Sequence, residues 1–153
     1  MVQKSELLKE IQLAFSQNER FDSQNVVRGD SIEAGMVKNL LSKRSWAELD
    51  AAALSAYDNQ ADLSAVIAFL SPEGFRYYLP SFLSFIVNQF NTYGLLIDSL
   101  ISKLASGATG YGPEIFTPAE KLAVSRFLSY LRERFPNDES MGRDIDNALK
   151  LWS

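Results

Sequence analysis

"SPEGFRYYLPSFLSF", residues 71–85, is the stretch whose reading decides the fold. Ser71 before Pro72 reads as a helix cap with proline at the first helical position, where its missing N–H would have had no partner anyway. Phe75, Tyr77, Tyr78, Phe82 and Phe85 then crowd around Arg76. Rings at this spacing form a core-facing helical stripe. Pro80 is the exception, because inside a helix it removes a backbone bond and crowds the preceding turn. The reading is therefore an aromatic helix over about 72–91, broken or kinked at Pro80, at the centre of the fold. Arg76 is expected at the core's edge, its stem packed and its head on a carboxylate or carbonyl.

Outward from this block the apolar period stays helical. Leu7, Leu8, Ile11, Ala14 and Phe15 share one side of a first helix capped by Ser5 and ending near Asn18. Asp30 with Glu33, and Ser45 with Glu48, have the spacing of capping boxes. LSAVIAFL after Asp62 reads as a short helix, and LLIDSLISKLA as an amphipathic one ended by Gly107. Thr117-Pro118-x-Glu120 is the strongest helix start, leading into Ala123, Phe127, Leu131 and Phe135. A last helix after Pro136 carries Ile145, Leu149 and Trp152, with Glu139–Arg143 and Asp146–Lys150 spaced for ion pairing. The expectation is one all-α domain over residues 1–153 with about seven helices.

Composition narrows the chemistry. The 153 residues include no Cys and no His. Disulfides, thiolate or imidazole catalysis and the usual zinc ligand sets are thereby removed, and no cofactor is implied. The N-terminus has charges at Lys4, Glu6, Lys9 and Glu10 and no signal-peptide pattern, so the plain reading is cytoplasmic. The uncharged stretch 77–97 has membrane-span length, but Asn88, Gln89, Asn91 and Thr92 would be unpaired in hydrocarbon. Arg28-Gly29-Asp30 reads as a turn and a cap rather than an adhesion motif. The glycines at 107, 110 and 112 lack the Gly-Lys-Ser/Thr of a phosphate loop and precede Pro113 and Glu114.

Charge is the remaining functional signal. Between Ser45 and Phe75 stand Glu48, Asp50, Asp58, Asp62 and Glu73 without a single base, while Lys121–Arg134 holds four bases and one acid. A net charge of −4 disfavours nucleic acid, whose binders neutralise phosphates. An acidic face suits a basic protein partner.

The block Phe75-Arg76-Tyr77-Tyr78-Leu79-Pro80, with Trp46 and Leu49 upstream and Phe116-Thr117-Pro118 and Trp152 downstream, resembles an uncharacterised, mainly bacterial family sharing Phe-x-Tyr-Tyr-Leu-Pro. The likeness runs from about residue 46 onward, with Ser81 where Ala is the commoner residue. The resemblance implies one domain and no catalytic residue. The expected function is a non-catalytic binding protein, of the kind that inhibits a basic toxin or nuclease. The alternatives are a carboxylate- and metal-dependent hydrolase built on Glu48, Asp50, Asp58 and Asp62, and a subunit that self-associates through Trp152.

Overall fold

A computed structural model describes residues 2–18, 25–89, 94–135 and 139–153, for the last segment without the Glu139 side chain. Among these residues the chain is all-α. Its α-helices are α1 Lys4–Ala14, α2 Ile32–Leu41, α3 Ala51–Asp58, α4 Val66–Phe69, α5 Pro72–Gln89, α6 Gly94–Ser106, α7 Pro118–Arg134 and α8 Glu139–Trp152, with 3-10 turns at Leu63–Ala65 and Pro113–Ile115. One isolated antiparallel bridge joins Val27 to Leu70. Helices pack into two compact units, Met1–Gln17 with Leu100–Ser153, and Asn18–Ser99.

In the first unit α7 packs against α1 and α8. Leu7, Ile11 and Phe15 of α1 and its end meet a core that includes Phe127, Leu128, Leu131, Ile145 and Trp152. Thr117 caps α7 in a complete capping box with Glu120, as its spacing predicts. Gly107 follows α6 with φ +64°, the left-handed geometry that favours glycine after a helix. Trp152 is 2% exposed; its ring packs on Phe116 at 5.2 Å and its Nε1 donates to the Leu104 carbonyl at 2.9 Å. That carbonyl belongs to the last turn of α6, where no intrahelical donor remains.

In the second unit α5 holds the aromatic block, and Phe75, Tyr77, Tyr78, Leu79, Pro80, Phe82 and Phe85 are all buried. Of the two outcomes expected at Pro80, a break or a kink, the break is corrected, since α5 is continuous across it. Pro80 has no N–H for the Arg76 carbonyl, and its ring crowds that turn. The Asn18 side chain supplies the donor instead, reaching the Arg76 carbonyl at 3.4 Å and the Tyr77 carbonyl at 2.9 Å. Its Oδ1 accepts in turn from the half-buried Arg76 guanidinium, so the Arg76 head sits on a side-chain carbonyl. The end of the expected range, residues 90–91, lies outside the described residues.

The polar atoms of the block hold one stretch of irregular backbone, residues 41–46. Tyr78 places its hydroxyl 2.6 Å from both the Leu41 and Arg44 carbonyls, which share its single proton. Tyr77 accepts from the Trp46 N–H at 3.3 Å, and Ser81 donates to the Trp46 carbonyl at 2.6 Å. Ser81 thus bonds the chain as well as packing in it. Arg44 donates to the Leu40 carbonyl at 2.7 Å, so the end of α2 is closed by side chains. Gly74 is required by a close approach: a Cβ there would collide with the Val26 carbonyl, which already accepts from the Ser71 N–H at 3.0 Å.

Several expected caps shift by a few residues. Gln3 precedes α1 without a side-chain bond, so Ser5 is not its cap, and α1 ends at Ala14. Ser31 caps α2 by accepting from the Ala34 N–H, because its hydroxyl stands one residue nearer the first turn than Asp30. Ser45 and Glu48 do exchange both bonds, at 3.2 and 2.8 Å, but they close a turn; α3 begins after Asp50, which accepts from the Ala53 N–H. Asp62 caps the 3-10 turn that leads into α4. Asp146 pairs with Arg132 of α7 at 3.0 Å, while the Glu139 side chain and Pro136 lie outside the described residues.

Candidate partner-binding surface

Glu48, Asp50, Asp58, Asp62 and Glu73 are all exposed. Their local duties differ. Glu48 accepts from the Ser45 N–H, Asp50 from the Ala53 N–H, and Asp62 from both the backbone N–H and the hydroxyl of Ser64, at 3.0 and 2.5 Å. Glu73 lies in the first turn of α5, where the helix dipole favours an acid. These four carboxylates have a structural reason to be where they are.

Asp58 has none. It is the last residue of α3, at the negative end of the helix dipole, and no basic residue stands in that turn. Asp58 and Asp62 share an open cleft of about 220 Å³ with Ser64 and Leu95. Leu95 is 71% exposed. The result is two like charges beside an uncovered apolar side chain. Glu48, Asp50 and Glu73 do not line this cleft.

The acidic field reaches past the 45–75 window. The Tyr57 hydroxyl is held above tyrosine's ordinary 10.0, first by burial and then by the charges of Glu33 on α2 and Asp62. Glu33 was missed because it lies outside the base-free run. Since the folded protein keeps this phenol neutral, the associated stability is fully present below about pH 10 and is lost as pH rises through the raised folded value. In an ultraviolet phenolate titration Tyr57→Phe should delete a late-ionising tyrosine, and Asp62→Asn should move that step back toward the ordinary range. An unmoved step in the Asp62 variant would show that its charge does not reach the phenol.

Trp46, Phe75, Arg76, Tyr77, Tyr78, Leu79 and Pro80 support this surface rather than forming it, the aromatics and Pro80 of α5 being buried and Trp46 half-buried. Leu95 could have been found from spacing alone. Leu96, Ile97, Leu100, Ile101 and Leu104 fill the buried stripe of α6, and Leu95 falls beside Asp98 and Ser102 on the polar side.

A hydrolase on carboxylates needs its acids to converge. Among the described residues no group of three or more His, Cys, Asp or Glu side chains could hold a metal ion. The basic run of α7 is also less open than its sequence implies: Arg126 pairs with Glu10, Arg132 with Asp146, and Arg134 with Glu133 at 3.7 Å. Beyond Gly112 the Glu114 carboxylate folds back against the glycine, placing negative charge where a phosphate loop would hold its anion. Among the described residues no helix is long and apolar enough to cross a membrane.

Comparison with curated proteins and with solved structures gives no match. The family DUF6714, described as a family of unknown function, matches residues 3–153, and the chain belongs to it.

Proposed function

We propose that this chain is a small, non-catalytic binding protein of the cytoplasm whose acidic surface takes a basic protein partner, in the manner of an inhibitor of a basic toxin or nuclease. The observation that carries this reading is Asp58. Four of the five window acids stabilise a turn or helix start, whereas Asp58 stands at the wrong end of α3 and lines one open cleft with Asp62. A carboxylate that stands against the dipole of its own helix has no stabilising duty there, and a basic partner would give it one. Leu95 beside it offers an apolar anchor within an acidic rim, a combination that gives both steering and a desolvated contact.

The reading predicts opposite effects on stability and binding. Asp58→Lys should raise unfolding stability by about 0.3–1 kcal/mol, because it reverses an unfavourable dipole contact. Combined with Asp62→Asn, which keeps a capping side chain, it should abolish salt-sensitive capture of a basic protein from lysate of the source organism. The bound protein would be identified by mass spectrometry, with wild type and variant compared at low and high salt. Equal capture of the same basic protein by both forms would remove this surface from the function.

A further inference from the structure

A half-polar cleft of about 290 Å³ is lined by Asn39 and Arg44 from α2 and its exit, and by Tyr57 and Gln60 from α3 and its exit. Arg44 is its one charged member. On α7, Arg126, Arg132 and Arg134 each pair with an acid. Arg44 does not: among the described residues its guanidinium donates from Nη1 to the Leu40 carbonyl at 2.7 Å, and no carboxylate pairs with it. A guanidinium has five N–H donors, so that bond leaves the edge formed by Nε and Nη2 without an acceptor. The side chains of Asn39, Tyr57 and Gln60 likewise make no hydrogen bond among the described residues. Polar groups that border one cleft with their bonding capacity unused are the mark of a small-molecule site.

We infer that this cleft binds a small organic monocarboxylate, held by the unbonded edge of the Arg44 guanidinium. Two parallel N–H groups along one edge match the two oxygens of a carboxylate, and no other side chain in the cleft supplies positive charge. The Asn39 and Gln60 amides and the Tyr57 hydroxyl can each donate and accept, so they orient a second polar group on the ligand. Met36 and Ala53 give its carbon skeleton an apolar wall. The volume lies at the lower edge of the range for small-molecule sites, roughly 300–1,000 Å³. Charge limits the ligand further. The carboxylates of Glu33 and Asp62 act on Tyr57 at the wall of the cleft, so a second negative charge there would be repelled. Phosphate and other dianions are therefore poor occupants. The site is separate from the acidic surface, since neither Asp58 nor Asp62 borders it, and it does not depend on that surface having a partner.

The test is titration of the isotope-labelled full chain with N-acetylglycine, followed by nuclear magnetic resonance. Saturable shifts are expected at the Asn39 and Gln60 side-chain amides and at Arg44 Nε, with a millimolar or tighter dissociation constant. N-acetylglycinamide has the same shape without the charge and should bind about ten-fold more weakly or worse, because a charge-assisted pair becomes a neutral bond. Inorganic phosphate should fail in the same way. Arg44→Lys keeps a cation after α2 but offers no fork, and should weaken N-acetylglycine by about ten-fold. Because Arg44 also closes α2, Asn39→Ala and Gln60→Ala at exposed positions supply a check independent of folding; each should weaken binding by about three-fold or more. N-acetyl-tetraglycine carries the same carboxylate on a longer chain and separates a small molecule from a protein terminus; it should bind no more tightly. Absence of a saturable shift with N-acetylglycine, equal binding of the neutral amide, indifference to all three substitutions, or a clear preference for the longer peptide would each overturn the assignment.

Discussion

Trp152→Ala should cost about 3–5 kcal/mol of unfolding free energy, the range for removing a large buried aromatic side chain. Trp152 is buried, so the size of the effect is diagnostic. Two contributions can be separated. The ring fills space against Phe116 at 5.2 Å, and Nε1 donates to the Leu104 carbonyl at the end of α6. Trp152→Phe retains most of the packing but leaves that buried carbonyl short of a donor, so it should cost about 1–3 kcal/mol. Urea denaturation followed by circular dichroism measures both, with the midpoint falling at an unchanged slope. A loss below about 1 kcal/mol for the alanine variant would mean that the ring is not the packed anchor described. The same burial bears on self-association through this residue. Truncating residues 145–153 would first unfold the unit that contains them, and a change in mass would not identify an interface.

Much of this was open to a reading of residues alone, and the reasons for the gaps are physical. Helical periodicity located the core side of α7 and α8 because burial enforces a 3.6-residue stripe. The Thr117 box was recognisable because Pro118 and Glu120 reinforce one start position. Where two short polar residues compete, as Asp30 does with Ser31, spacing cannot choose, and the choice falls to whichever oxygen reaches an N–H. The continuity of α5 through Pro80 was not legible for a different reason. The Arg76 carbonyl left without its bond is reached by Asn18, fifty-eight residues before Arg76 in sequence, and no local pattern announces a partner at that distance. The candidate surface was legible in part. The acidic window is plain in the sequence, but capping duties divide its members, and only the structure shows Asp58 without one. Leu95 escaped because stripe counting rewards leucines that fit. The informative leucines are those that do not fit.

Asn18→Ala should destabilise the protein by about 2–3 kcal/mol, a large effect for a half-buried residue outside any helix, because three interactions are lost together. Its amide donates to the Arg76 and Tyr77 carbonyls and its oxygen accepts from the Arg76 guanidinium. The amide orientation follows from chemistry, since a guanidinium has only donors and must face the oxygen. The decisive measurement is a double-mutant cycle with Pro80→Ala. Alanine at 80 restores the N–H that an uninterrupted helix would offer to the Arg76 carbonyl, so Asn18 should matter less once the proline is gone. A coupling of about 1 kcal/mol or more between the two positions is expected, as for residues sharing one hydrogen-bond network. Additive effects would mean that Asn18 serves Arg76 alone and that Pro80 is accommodated by the helix itself. The result also bears on the acidic surface. Tyr77 and Tyr78 hold the backbone at 41–46 that leads into α3. If α5 stays continuous through Pro80 because of Asn18, then loosening Asn18 should loosen that backbone as well. Hydrogen exchange should accordingly quicken at Arg44 and Trp46 in the Asn18 variant, whose donors lie in or against this stretch, while the Trp152 N–H in the other unit stays protected.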